Sequence, residues 1–363
     1  MQALPGRTHV VVEGPWGAAV RVVEGATGMI RQYPDERPST HDYEVLVPAS
    51  ADGSRWAVGG SFGDITGFDP EATLYDLAQR TTRPLRDSRS RPVFAGPCSP
   101  QRDALVLFAR DSAGEVEATL VRLDGKHVGS LGPCPSEASR LPPVAAIKWS
   151  PDGPHLLLDF SMGEDLWVLG PCPGQREALA LDAVTDGECW GAWWLGNEAL
   201  LYEGPSPTRS GKVVVRADLA FHTRVKLLDT TGSGRAAPWP VSCSRPGSTL
   251  PLEVLAAAPE GRWFVAQVVW ADRSRPACRV ASWLRSRAVR WRPLRPAAAW
   301  LQRRILDDEA GLFVFDRDGK LRWKLPVYSG RTAGAAFLAD GRIAWSDGDV
   351  IRVGDPSRPQ GRR

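Results

Sequence analysis

Histidine is scarce in this chain: His9, His41, His127, His155 and His222 are the only five in 363 residues. No two stand at the spacing of a metal-binding pair, so neither a histidine metal centre nor a histidine base is expected. Cysteine numbers six, with no Cys-x-x-Cys pair and no spacing that fits a small disulfide-stapled domain. Free, buried or half-buried thiols are the expectation. Long apolar runs are missing, which excludes a helical membrane span. The opening MQALPGRTHVVVEGPWG lacks a charged stretch followed by an apolar one, so a cytoplasmic protein is expected. Phosphate-cradling loops, a Gly-x-Gly-x-x-Gly after a strand and calcium loops are all missing, and no cofactor is expected. Charge of one sign is missing too. Forty-five basic residues face 42 acidic ones, for a net +3, so nothing pulls the whole molecule toward nucleic acid or membrane. Helical periodicity is equally hard to find. Asp69–Arg80 is broken by Pro70 and reads better as a strand at TLYDL plus a turn.

What is abundant is punctuation: 36 Gly and 31 Pro, with 15 Trp suited to half-buried sheet faces. Arginine outnumbers lysine 39 to 6, which reads as the codon usage of a GC-rich bacterial genome. One short phrase recurs. It is clean at Ser150-Pro151-Asp152-Gly153 and looser at Ser50–Gly53, Ser99–Arg102, Ala258–Gly261 and Leu338–Gly341. Each copy lies between two apolar runs, the pattern of strand–turn–strand with Gly supplying a positive φ. The clearest unit, Ala145–Leu181, offers four short strands in under 40 residues. That is one blade of a β-propeller, and the chain reads as all-β.

Within that unit, KWSPDGPHLLLDFSMGEDLWVL at 148–169 resembles the TolB-type, WD-like repeat: a Trp-Ser-Pro-Asp-Gly turn, an apolar strand, then Asp-Leu-Trp-Val. The other units match at the turn and little beyond. The Trp-Asp dipeptide is absent from the third strands, and GLFVFDRDGKLRW at 311–323 is similar instead to a quinoprotein-type blade ending.

On one register the turns fall at 50, 99, 150, 195, 258 and 338. The step from 195 to 258 carries an insertion rich in Ser, Gly and Pro at 230–248. The 80-residue step to 338 spans two blades, with a missing turn near 300–305. The register favours seven blades of four antiparallel strands, with six or eight open. Strands within 1–42 are expected to close the ring by pairing with the C-terminal strands, removing open edges. The propeller then occupies 1–355 as one domain, and 356–363 is a disordered basic tail. The Gly-Pro-Cys tripeptides at Cys98, Cys134 and Cys172 occupy different positions of the repeat, which speaks against a shared metal site.

Two further patterns carry little chemistry. Gly59-Gly60-Ser61-Phe62-Gly63 fits Gly-x-Ser-x-Gly, but no helix follows, so a Gly-rich hairpin is expected rather than a hydrolase nucleophile. The acidic triplet Asp307-Asp308-Glu309 follows Arg303-Arg304 and reads as an internally paired loop.

The one regional signal is basic. Residues 270–304 hold ten arginines and one aspartate, a net +9 that leaves −6 for the rest of the chain. Trp270, Trp283, Trp291 and Trp300 interleave with them. RVASWL and AVRWRPL alternate as strands would, placing Trp in a sheet and Arg in solvent. Candidate binding residues are Arg285, Arg287, Arg290, Trp291, Arg292 and Arg295. Their partner would be an acidic protein surface or nucleic acid, since Arg and Trp serve both. The leading expectation is a non-catalytic scaffold or subunit, monomeric alone, that holds a protein partner on its propeller faces. The alternatives are an enzyme of hydrolase or lyase type using the propeller channel, and nucleic-acid binding through 270–304.

Overall fold

The structure is a computed structural model. It describes mainly residues 72–76, 81–87, 93–99, 104–110, 115–122, 126–133, 147–159, 166–170, 188–206, 212–219, 222–229, 252–268, 311–326, 334–347 and 350–356. It also describes shorter strands elsewhere and single positions within 280–296. Strands dominate. The first sheet holds β1 (Gln2–Ala3), β2 (His9–Val12), β3 (Val20–Glu24) and β4 (Ile30–Tyr33). The second holds β5 (Val45–Pro48), β6 (Arg55–Gly59), β9 (Thr73–Asp76) and β10 (Thr81–Pro84), with a small hairpin of β7 (Phe62–Gly63) and β8 (Gly67–Phe68) between β6 and β9. The third holds β11 (Phe94–Cys98), β12 (Ala104–Arg110), β13 (Val116–Arg122) and β14 (His127–Pro133). The fourth holds β15 (Ile147–Trp149), β16 (Leu156–Leu158), β17 (Leu166–Leu169) and β18 (Arg176–Leu179). The fifth holds β19 (Gly191–Trp194), β20 (Ala199–Pro205), β21 (Lys212–Asp218) and β22 (Thr223–Asp229). A short parallel pair joins β23 (Val241–Ser242) to β26 (Trp270–Ala271). The sixth sheet holds β24 (Leu252–Ala257), β25 (Trp263–Val268), β27 (Gly311–Asp316) and β28 (Leu321–Leu325). The seventh holds β29 (Ala335–Phe337), β30 (Ile343–Asp347) and β31 (Val350–Gly354). Each of the seven is an antiparallel meander in chain order.

The recurring phrase makes the turn between first and second strands, as its residues dictate. At the clean copy, Ser150 N donates to His155 O and Gly153 N to Ser150 O, both at 2.8 Å, and Gly153 sits at φ 79°. The Ser150 hydroxyl accepts from His155 N at 3.1 Å. The looser copies close alike: Gly261 N donates to Ala258 O, and Gly341 N to Leu338 O, both at 2.9 Å.

The core lies in layers between consecutive sheets, and the period of two explains how. Along β12, Leu105, Leu107 and Ala109 face the layer shared with the second sheet, while Val106 and Phe108 face the layer shared with the fourth. Along β20, Leu200 and Tyr202 pack toward the fourth sheet, and Ala199 and Leu201 toward the sixth. Middle strands buried on both faces therefore read as unbroken apolar runs. Each fully buried Leu or Phe contributes about 1.5–3 kcal/mol through removal from water. Indoles stitch neighbouring sheets: Trp149 Nε1 donates to Pro97 O at 2.8 Å, and Trp345 Nε1 to Pro326 O at 3.0 Å.

Three expectations are corrected. Among the described residues the step from 258 to 338 holds one four-stranded sheet and β26 of the short pair, with β25 pairing directly with β27, Val268 opposite Gly311. Residues 269–310 are thus an insertion between two paired strands, and the expected turn near 300–305 lies outside the described residues. Second, among the described residues the N-terminal strands build a four-stranded sheet of their own and the last sheet holds three strands. Strand β1 lies beside β29 without a ladder joining them among the described residues. Third, the described residues of RVASWL, Val280, Trp283 and Leu284, are helical rather than extended, as is Arg287 beyond it. The strand at TLYDL is present as β9, and the Gly-x-Ser-x-Gly region holds the β7–β8 hairpin, with Gly60 and Ser61 outside the described residues.

Candidate functional site

Two places concentrate chemistry. The first is the insertion between β25 and β27. Trp291 N donates to Arg287 O at 2.8 Å, four residues back along the chain. Val280, Trp283 and Arg287 are helical and recur at the helical period. Val280 is 50% exposed, Trp283 55% and Trp291 62%, the last two being the most exposed large apolar side chains among the described residues. The Arg287 guanidinium lies over the Trp283 ring, 5.9 Å from its centroid. Of the six residues the sequence pointed to, Arg287 and Trp291 are described, both exposed and joined by that backbone bond. Arg285, Arg290, Arg292 and Arg295 lie outside the described residues.

The second place was not foreseen. It surrounds β19, where the fourth, fifth and sixth sheets meet. The Lys148 ammonium, half-buried on β15, donates to Ala192 O and sits 4.4 Å over the Trp193 ring. Trp193 in turn folds back over Gly191, where a Cβ would come within 2.6 Å of the ring. Glu203, opposite Gly191 on β20, is 4% exposed. Its Oε2 accepts from Val254 N on β24 at 3.3 Å. Asp159 and Cys189 are buried close by.

Burial sets the protonation of this group. It pulls the Lys148 amine down to about 8 against the pull of Asp159, Cys189 and Glu203. It pushes the Glu203 carboxyl up to about 7, opposed by Lys212, the Val254 amide and Lys148, with Glu253 adding to the rise. It also pushes the Cys189 thiol well up, leaving an inert thiol rather than a nucleophile. Burial thus works against the charged form of both groups. The sequence signal for them was present: Lys148 interrupts the apolar run AAIKW, and Glu203 the run ALLYEGP. A charge inside a both-faces-buried strand is costly unless paired, and so marks a site or a specific contact.

Among the described residues no group of three or more His, Cys, Asp or Glu side chains could hold a metal ion, and no helix is long and apolar enough to cross a membrane. Cys98 and Cys189 are buried thiols outside any disulfide, and Cys98 Sγ donates to Ser99 O at 3.6 Å.

No family model matches the chain, and no curated protein matches it. Solved structures do. The β-propeller domain of Cps50 (Swd1) from Myceliophteria thermophila is 14% identical, with 98% of this chain and 95% of that one covered at a TM-score of 0.50. The WD40 repeats of RRP9 are 10% identical over 95% and 86%, with a TM-score of 0.51. Hydrazine synthase from Kuenenia stuttgartiensis is 9% identical over 98% and 94%, also at 0.51. At such identities the likeness speaks for architecture alone: this chain has an all-β fold of the β-propeller kind, similar to WD40 domains.

Proposed function

We propose that the chain is a rigid propeller scaffold that holds a protein partner, with the insertion between β25 and β27 as the docking element. The observation that carries this reading is the exposure of Trp283 and Trp291 on a segment outside the sixth sheet's ladder. Exposed large apolar side chains mark contact surfaces, and Trp and Arg dominate interface hot spots. In this reading the seven sheets are seven blades around a channel. The end strands β5, β11, β15, β19, β24, β29 and β1 follow one another around it, and the ring closes by the apposition of β29 and β1. The 148–169 blade supplies the TolB-type pattern. The test is affinity purification from the native host with and without nuclease, followed by mass spectrometry. A stoichiometric protein that survives nuclease supports the scaffold. Recovery of nucleic acid alone, or of nothing, contradicts it.

Lys148 and Glu203, which burial drives toward their neutral forms, favour a second reading, an enzyme that works where the fourth, fifth and sixth sheets meet. A metabolite that stabilises the intact protein against heat, but not Lys148→Met or Glu203→Gln, would support it. Equal response of all three would remove it.

A further inference from the structure

We propose that the outer edge of β31 takes one added strand from a protein partner, an extended segment that is apolar opposite Ile351 and Val353 and acidic opposite Arg352. This adds a second contact surface to the scaffold reading and is independent of the insertion. Among the described residues the seventh sheet stops at three strands, and none pairs with β31 on the side away from β30. Third strands of other sheets are mostly buried, as along β13, β17 and β21. β31 holds the same place yet has no buried residue, and Val350 is 53% exposed. It combines the position of a third strand with the exposure of an outermost one.

The ladder fixes which backbone groups face outward. Ser346 N donates to Gly334 O at 3.1 Å, so Ser346 turns its backbone groups toward β29. Neighbouring residues of a strand turn theirs to opposite sides, so Trp345 and Asp347 bond toward β31. Arg352 and Val350 lie opposite them and bond back. The N–H and C=O of Ile351 and Val353 are therefore directed to the outer edge. Such groups template a further strand unless the edge is blunted. Outer strands elsewhere are blunted: β10 ends in Pro84, β14 is irregular at two places, and β22 carries Arg224 and Lys226. β31 reads VIRVG, three β-branched residues around one arginine, and its register with β30 is unbroken. The Ile351 and Val353 side chains, only half-buried, pack with Leu338 and Ala344. Apolar residues opposite them on an added strand would extend that face.

Charge selects the occupant. The fork of donors on Arg352 can hold a carboxylate from the facing residue of an added strand, beside the interaction it already makes. A second copy paired about a two-fold axis through both Ile351 and Val353 would set Arg352 against its own copy. Residues 357–363 of this chain bring Pro359 and three arginines without an acid, which suits neither the ladder nor Arg352.

The intact chain can be followed by hydrogen exchange, resolved to single amides over 350–354, alone and with three peptides. The first is an extended peptide of about seven residues with Val-Glu-Val at its centre and Thr on either side. The second has Lys in place of Glu, and the third is N-methylated at the amides that would join the ladder. The Ile351 and Val353 amides should exchange fast in the chain alone, and the Glu peptide should slow them about tenfold or more. The Lys peptide should bind about two- to fivefold more weakly, and the N-methylated one should give no protection. Arg352→Glu should reverse the order of the Glu and Lys peptides. Val353→Pro removes an outward N–H without taking a bond from β30, so it should keep the wild-type thermal transition and lose the peptide. Amides already protected in the chain alone, by its own residues or, where protection falls on dilution, by a second copy, would overturn the proposal. So would exchange unchanged by the Glu peptide, or an order of peptides that Arg352→Glu does not alter. A native partner retained by Val353→Pro would remove this edge and leave the scaffold standing. Peptide binding in a chain from which no native partner is recovered would uphold the edge and count against the scaffold.

Discussion

The Trp194 indole Nε1 donates to the Lys148 carbonyl oxygen at 2.9 Å, tying β19 of the fifth sheet to β15 of the fourth. Trp149 makes the same bond one sheet earlier, to Pro97 O. Each indole fills the layer between two sheets and satisfies a carbonyl that has no ladder partner on that side.

Trp194→Phe should keep most of the apolar volume and lose the bond. Leaving the Lys148 carbonyl unsatisfied costs about 1–3 kcal/mol. Urea unfolding should show a lower midpoint with an unchanged slope. A midpoint equal to wild type would mean that the bond is exchanged for water without loss.

Glu203 and Lys148 give the stability a pH profile with two limbs. The Glu203 carboxyl, raised to about 7 from 4.5, holds its proton in the folded state after the unfolded chain has lost it. Stability therefore falls as pH rises from about 4.5 to about 7, by on the order of 2–3 kcal/mol. The Lys148 amine, lowered to about 8 from 10.5, gives the opposite limb. Between about pH 8 and 10.5 the unfolded chain keeps the proton that the folded one has released, and stability rises. Glu203→Gln should flatten the first limb and Lys148→Met the second, read as urea midpoints across pH. Variants that keep both wild-type slopes would place the titration elsewhere.

Turn glycines should differ sharply from strand glycines. Gly261 stands at φ +73°, and a Cβ there would lie 3.0 Å from Leu195 O and 3.1 Å from Gly196 Cα. Gly261→Ala should cost about 1–3 kcal/mol in backbone strain and displacement of the neighbouring turn. At Gly129 on β14 nothing lies within 4 Å of the added carbon. Gly129→Ala should be neutral or stabilising by up to about 1 kcal/mol. Equal effects at both positions would contradict the described turn packing.

The turns were legible because their chemistry is local: Ser150, Asp152 and Gly153 specify their own hydrogen bonds within six residues. The both-faces-buried strands were legible for the same reason, as apolar runs. Pairing was not. Val268 finds Gly311 across a 269–310 excursion, and no residue in that excursion announces that the ladder resumes beyond it. The alternation of Trp and Arg in 279–292 misled because it satisfies a period of two and, at 280, 283, 287 and 291, the helical period as well. Lys148 and Glu203 were passed over because their contacts, to Ala192 and to Val254, depend on three sheets coming together around β19.

The most direct measurement replaces 269–310 by a two-residue turn joining Val268 to Gly311, then follows both folding and partner recovery. The account predicts one cooperative thermal transition close to that of the intact chain, loss of the short β23–β26 pair, and loss of the protein partner. A shortened chain that does not fold would contradict the direct pairing of β25 with β27. One that folds and still retains the partner would contradict the insertion as the docking element.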